Sequence, residues 1–259
     1  MSRIYSLAQQ GLSAPIQGSD EWLAGRKGRI TGSKNGDLYF NFKQESDWDD
    51  ILEKWFGDTV ENFDAIAKKR MAWGSKHEDS AVQVIVDSIP NSHFFECPQI
   101  EIDEIYAASP DGAIIVLKDD KDGKDGTFQK EDVDWHANVE IKCPAGGIGK
   151  TAEEMAEVVR KKWKTPAPYY MIQIHQEMAA QKTTETLFVV WTPLLTRMWR
   201  VPFNQSFWNL SVEVLENFRL KNVSFEVMQS KINTLKARCF GVSNFPLWKE
   251  VTTEWNGTL

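Results

Sequence analysis

Apolar and polar residues follow one another along this chain in distinct rhythms. To about Pro90 the rhythm is mostly helical: "DDILEKWFG" from Asp49 and "EDSAVQVIVDSI" from Glu78 carry apolar residues at helix-like spacing. From about Phe94 to Pro144 it changes to strands, in "FFECPQIEI", "AIIVL" and "ANVEIKC". The last two are separated by "KDDKDGKDGTFQKEDVD", a charged stretch punctuated by Gly that reads as a solvated extension of a hairpin.

A well-marked helix comes next. Thr151 and Glu154 have capping-box spacing, acids fill the first turns, and Arg160, Lys161, Lys162 and Lys164 fill the last. Pro166 and Pro168 stop it and open a second helix, "YYMIQIHQEMAAQ". "TLFVVWT" and "MWRVPF" read as strands paired around a turn near Pro193, and the chain from Asn204 to about Ala237 is largely helical in pattern. Helices, a central mixed sheet, a crossover helix pair and a helical tail make an α/β (α+β) fold. No internal repeat or composition shift divides it. We expect one domain over 1–259, with a core at about 20–203 and a helical C-terminal extension at about 204–259.

Composition narrows the class. A chain of 259 residues can bury a substantial core, and 42% hydrophobic with 26% charged residues is globular. No apolar run approaches the roughly 20 residues of a membrane helix. "MSRIYSLAQQ" lacks the apolar core of a signal peptide, so an intracellular protein with no membrane partner is expected. Cys97, Cys143 and Cys239 are odd in number and far apart, which suggests neither a disulfide framework nor a zinc site. A net charge of −7 argues against broad, non-specific nucleic-acid binding. It leaves room for a nuclease, whose metal-binding carboxylates add negative charge beside a basic channel. The eleven Trp suit core and interface positions, with base stacking open to a few.

Two stretches carry candidate chemistry. In "NVEIKCP", Glu140 and Lys142 stand two apart, on one face of a strand about 7 Å apart, with Ile141 and Cys143 on the other. The preceding strand begins at Ser109-Pro110-Asp111-Gly112, which brings Asp111 beside Glu140 across the hairpin. Taken alone, the first is also a solvent-facing pair and the second a good turn sequence. Together, two carboxylates at a sheet end form an oxygen site for a hard divalent cation, with a Lys to orient water or offset charge on a phosphate oxygen.

"SPDG" followed by "EIKCP" resembles the PD-(D/E)xK nuclease signature and, more narrowly, that of the lambda-exonuclease/YqaJ-like viral recombinase family. Further matches follow in order. "WLAGRKGRITGS" is similar to the family's Trp-x3-Arg-x-Gly-x-Ile-Thr-x-Ser segment, at Arg26 and Ser33. "WGSKHEDSA" is similar to its Trp-Gly-x3-Glu helix start, at Glu78, and "YYMIQIHQEM" to its Tyr-Met-x-Gln helix, at Gln173. The matches span roughly Trp22 to Trp191. There are two departures: the connection from Asp111 to Glu140 is long, and a position where the family often carries a second Gln is His175.

The resemblance implies a restriction-endonuclease-like core and a 5′-to-3′ exonuclease acting on duplex DNA ends. It implies that Asp111, Glu140 and the carbonyl of Ile141 hold Mg²⁺ (or Mn²⁺), that Glu78 adds a ligand, and that Lys142 positions the attacking water. Gln173 is turned toward the active site beside Tyr170, where the amide orients the nucleophile or binds backbone. Arg26 and Ser33 form a terminal phosphate pocket, Ser33 at a helix N-terminus, with Tyr170 a further 5′-phosphate or DNA contact. The implied partners are double-stranded DNA with free ends, a phage or viral single-strand-annealing protein, and further copies of the chain in a ring, a trimer. Alternatives are another RecB-like nuclease, CRISPR-associated or restriction-type, and a non-catalytic DNA-end binder. The cluster Arg160 to Lys164 is either a DNA-backbone contact or a dipole-complementing helix end. Aromatics of "WDDILEKWFG" are either core or a strand-splitting wedge.

Overall fold

The structure, a computed structural model, describes residues 19–57, 64–118, 128–145, 149–240 and 247–251. Its frame is a six-stranded mixed sheet in the order β2 (Ser92–Phe95), β5 (Gly112–Leu117), β6 (Val133–Lys142), β7 (Glu185–Trp191), β8 (Thr196–Pro202) and β9 (Leu247–Val251). Among the described strands of this sheet, only β6 and β7 run parallel. Such a pair needs a long crossover, and here it is the expected helix pair, α5 (Ala152–Lys162) and α6 (Pro168–Gln181). Thr151 and Glu154 close the reciprocal capping box of α5, and Pro168 occupies the first turn of α6. A smaller sheet joins β1 (Ile30–Thr31) in parallel to β4 (Tyr106–Ala108), with β3 (Ile100–Glu101) antiparallel beyond.

Helices cover both faces of the large sheet. On one, α4 (Ala65–Ser88) packs Ala81, Val84 and Ile85 against Val139, Ile141, Leu187 and Val189. On the other, Phe188, Val190, Trp199 and Val201 meet Met171, Ile172 and Ile174 of α6. They also meet α3 (Asp47–Phe56), α7 (Gln205–Leu220) and α8 (Phe225–Phe240), with Trp48, Trp55 and Phe218 at the centre. Trp48 and Trp55 are buried, so the aromatics at those positions are core rather than wedge. The mixed sheet flanked by helices is as expected. No helix among the described residues is long and apolar enough to cross a membrane.

Three local expectations change. "FFECPQIEI" is not one strand: β2 joins the large sheet and β3 the small one, because Pro98 between them has no N–H for a ladder. The tail from 204 is two helices, but it is not helical throughout. β9 pairs antiparallel with β8 and covers what would be an open edge. The basic run 160–164 splits at the helix end. Arg160 and Lys161 pair with Glu157, Trp163 caps α5, and Lys164 lies beyond.

The charged connection from Asp111 to Glu140 leaves the pairing of its flanks intact: Gly112 lies opposite Val139 and Leu117 opposite Val133, with one register shift at Val116/Leu117. Residues 119–127 lie outside the described residues. Phe128, where the chain returns, is buried and meets Phe95 at a ring distance of 6.0 Å.

Candidate active site

The site forms where β6 outruns its neighbour. β5 begins at Gly112, opposite Val139, so Ile141 lies past its end. The N–H left over at Ile141 donates to Asp111 Oδ2 at 2.7 Å. The close approach that seats Asp111 depends on Gly112. A Cβ there would sit 2.2 Å from the Phe94 ring and 2.9 Å from the Phe95 carbonyl.

Period-two alternation turns Asn138, Glu140 and Lys142 of β6 to one face, and that face meets α6. Asn138 Nδ2 donates to Glu177 Oε2 at 3.0 Å, and Gln173 Nε2 donates to Glu140 Oε1 at 2.6 Å. Lys142 Nζ stands 5.0 Å from the centre of the Tyr170 ring. A two-residue step on a strand advances about 6.6 Å, against about 6 Å for the four-residue helix step from Glu177 to Gln173 and about 4.5 Å for the three-residue step from Gln173 to Tyr170. The first two rungs therefore keep register and the third falls slightly short, strand and helix running in opposite directions.

Lys142 also forms an ion pair with Glu140 Oε1. Burial by itself would lower the proton affinity of Lys142, but the Glu140 and Asp111 carboxylates outweigh it and hold the ammonium charged. Burial and the charge of Glu140 push Asp111 well above the usual carboxylate range, and do the same for Glu177. Glu78, half-buried on α4, is raised by burial and then by Glu140.

Arg26, at the end of α1 (Asp20–Arg26), joins this cluster from the N-terminal side. Its Nη2 donates to Ser33 Oγ at 2.7 Å and to Thr31 Oγ1 at 3.0 Å, and its guanidinium lies 4.1 Å over Trp22. Ser33 lies inside a short 3-10 turn, Gly32–Asn35, that leads into α2 (Gly36–Phe40), rather than capping a longer helix. The turn is pressed onto α6: a Cβ on Gly32 would meet Gln173 Cγ at 2.9 Å. A cleft of about 150 Å³ results, lined by Arg26, Ser33, Asp111, Glu140, Lys142 and Gln173, with Trp22, Ser109 and Glu177 also contributing.

Of the residues singled out in the sequence, those six share the cleft. Ile141 supplies the N–H that holds Asp111. Glu78 acts on the cluster through its charge and does not line the cleft. Tyr170 lies behind Lys142, stacked on Trp163, rather than at the phosphate end.

A family model for the YqaJ-like viral recombinase domain matches residues 21–186. The chain belongs to the YqaJ-like viral recombinase family. The matched span holds every residue that lines the cleft. Solved structures with a similar fold include the alkaline exonuclease LHK-Exo of Laribacter hongkongensis. It is 18% identical with a TM-score of 0.54, over 86% of this chain and 100% of that one. The same enzyme in complex with dAMP gives 17% and 0.52 over the same shares. No curated protein shows significant sequence similarity to the chain. At these identities the structural likeness speaks for the fold, which is of the PD-(D/E)xK type. Family and fold together support a lambda-exonuclease-like nuclease.

Within the YqaJ-like frame, four contributors were not singled out from the sequence: Trp22, Ser109, Glu177 and Asn138. Trp22 Nε1 donates to Ser109 Oγ at 3.0 Å and so ties α1 to the turn that carries Asp111. Their signals were present. Trp22 opens the matched N-terminal segment, Asn138 is two residues before Glu140, and Glu177 is one helical turn after Gln173.

The donor set suits a hard divalent cation. Glu140 Oε2 is buried with no hydrogen-bond partner, and the side chains of Asp111 and Glu140 bring carboxyl oxygens together at one sheet end. Among the described residues, no three His, Cys, Asp or Glu side chains already form a metal cage. Lys142 and Gln173 stand on the Glu140 oxygen instead.

Proposed function

We propose that this chain is a Mg²⁺-dependent exonuclease that degrades one strand of linear duplex DNA, 5′ to 3′, from 5′-phosphorylated ends, for single-strand-annealing recombination in a phage or virus. One observation carries the reading: Arg26 and Ser33 line the same cleft as Asp111, Glu140 and Lys142. A guanidinium grips phosphate oxygens through two parallel hydrogen bonds. A terminal phosphate held there sets the polarity of the strand that reaches the acids. The solved alkaline exonuclease was captured with dAMP, a deoxynucleoside monophosphate of the kind such a reaction releases.

Asp111, Glu140 and the Ile141 carbonyl would hold the Mg²⁺, with Mn²⁺ able to replace it and Glu78 an outlying ligand. When bound, such an ion lowers the pKa of a coordinated water and draws charge from phosphoryl oxygens. Lys142 acts as a cation and not as a base, because the surrounding carboxylates keep it protonated. It offsets negative charge growing on the phosphate and helps to place the attacking water. Gln173 braces Glu140. The partners of this reading are duplex DNA with free ends, an annealing protein, and a homo-oligomeric ring, a trimer, around the DNA.

The test is nucleotide release from linear duplex DNA, with and without 5′-phosphate and Mg²⁺, beside closed circles. We expect release only from linear DNA with Mg²⁺, faster with 5′-phosphate, and a selective loss of that preference in Arg26→Ala. Equal degradation of circles would overturn the exonuclease reading. An unchanged preference in Arg26→Ala would empty the phosphate pocket. DNA-end binding without Mg²⁺-dependent release would leave only a binder.

A further inference from the structure

We propose that Glu177 is a positioning residue: its side chain locks the Gln173 amide with the NH₂ turned to Glu140, and so fixes which Glu140 oxygen is left without a partner. The proposal rests on the exonuclease reading and deepens it.

Glu177 is 1% exposed, and its two oxygens have separate duties. Oε1 accepts from Gln173 Nε2 at 2.9 Å, and Oε2 accepts from Asn138 Nδ2 at 3.0 Å. Asn138 is itself anchored, its Nδ2 donating also to Thr186 Oγ1 at 3.1 Å. The hydrogen bonds to Glu177 thus come from two neutral amides. A buried carboxylate held in this way is a costly choice for packing alone, where an amide or an apolar residue would serve. What Glu177 supplies in this pose is a pair of accepting oxygens, one for each amide.

That property matters because a Gln side chain has two faces. Gln173 Nε2 donates to Glu177 Oε1 and also to Glu140 Oε1, at 2.6 Å. Between two accepting oxygens the NH₂ end fits, since a carbonyl turned there would oppose oxygen with oxygen. Gly32 presses on the stem of the same side chain, leaving it little room to swing away. Glu140 Oε1 is thereby engaged by Gln173 and Lys142, and Oε2 stays buried without a partner. The hydrogen bonds of Glu177 run to Gln173 and Asn138, so it acts on Glu140 through Gln173.

The experiment compares wild type, Glu177→Gln, Gln173→Ala and the double variant. A Gln at 177 offers one acceptor and one donor, so it cannot accept from both amides in the same pose. We expect Glu177→Gln to lower kcat about ten- to a hundredfold, the usual range for residues that orient a site through a neighbour. KM for DNA should stay within about threefold and the melting temperature should not fall. The double variant should be no slower than Gln173→Ala alone, because both remove one arrangement. In metal-free protein labelled with nitrogen-15 at glutamine, the Gln173 amide protons should be protected from exchange and lose that protection in Glu177→Gln. Losses that multiply in the double variant, or an unchanged Gln173 signal, would overturn the proposal. So would a lower melting temperature with unchanged kcat, which would make Glu177 a purely structural residue. Should wild type release no nucleotide, the exonuclease reading fails, while the amide signals still decide whether Glu177 holds Gln173.

Discussion

Helix α6 buries polar side chains on two sides, and the two sides are treated differently. Toward the small sheet, Gln176 is fully satisfied: Nε2 donates to the Ile30 and Ala107 carbonyls at 2.8 and 2.7 Å, and Oε1 accepts from Asn35 at 2.7 Å. Nearby, His175 accepts from the Asn204 N–H at Nε2, which places its hydrogen on Nδ1, donating to the Met171 carbonyl. Toward the cleft, Gln173 and Glu177 stand in a group of acids with one lysine, and Glu140 keeps an oxygen unpaired. The complete set around Gln176 marks a residue that holds the structure together, although Asn35 Oδ1 beside it is buried without a partner. The unpaired Glu140 oxygen stands instead among acids and a lysine in a cleft, which suits a ligand.

The sharpest break between the sides is expected at Lys142. Lys142→Ala should reduce nucleotide release about 10³-fold, as loss of a charge-stabilising donor does, while DNA binding persists. Near-normal release would remove Lys142 from the chemistry and leave the cleft side with no privileged cation.

Next in size, Gln176→Leu leaves two carbonyls and an amide N–H buried without partners. A loss of about 3 kcal/mol in urea unfolding is expected, with release per folded molecule less affected than in Gln173→Leu. If Gln176→Leu proved as stable as wild type but inactive, the division of labour along α6 would be reversed.

The smallest effect depends on pH. Burial lowers the His175 pKa to about 4, from the 6.5 it has when exposed. Below pH 6.5 the unfolded chain takes up a proton that the folded chain refuses. The stability His175 provides is therefore complete above 6.5 and is lost as pH falls toward 4. At pH 5.5 that loss is about 1 kcal/mol. His175→Gln, which does not titrate, should lack this part of the acid dependence in unfolding measured at pH 7.5 and 5.5. Equal slopes would show that His175 is not held neutral by the fold.

Much of the frame was legible because it depends on short-range chemistry. Thr151 with Glu154 and Pro168 fixed the helix pair, and alternation in "AIIVL" and "NVEIKC" located the hairpin that brings Asp111 to Glu140. Other features depend on contacts distant in sequence. Glu177 was not singled out because nothing local reveals that Asn138 lies across from it. Tyr170 read as a DNA contact because its place behind Lys142 is set by Trp163 and Phe188. β9 depends on an edge of β8 that exists only after the sheet has formed.

The hairpin of β5 and β6 holds one more consequence. Its paired residues run from Gly112 with Val139 at the acid end to Leu117 with Val133 at the other. Five residues of strand separate the two ends by about 17 Å. Length added or removed between 118 and 132 therefore enters at the handle and not at the jaws. The long connection lies where an experimenter inserting a reporter can rewrite the chain without moving Asp111 from Glu140.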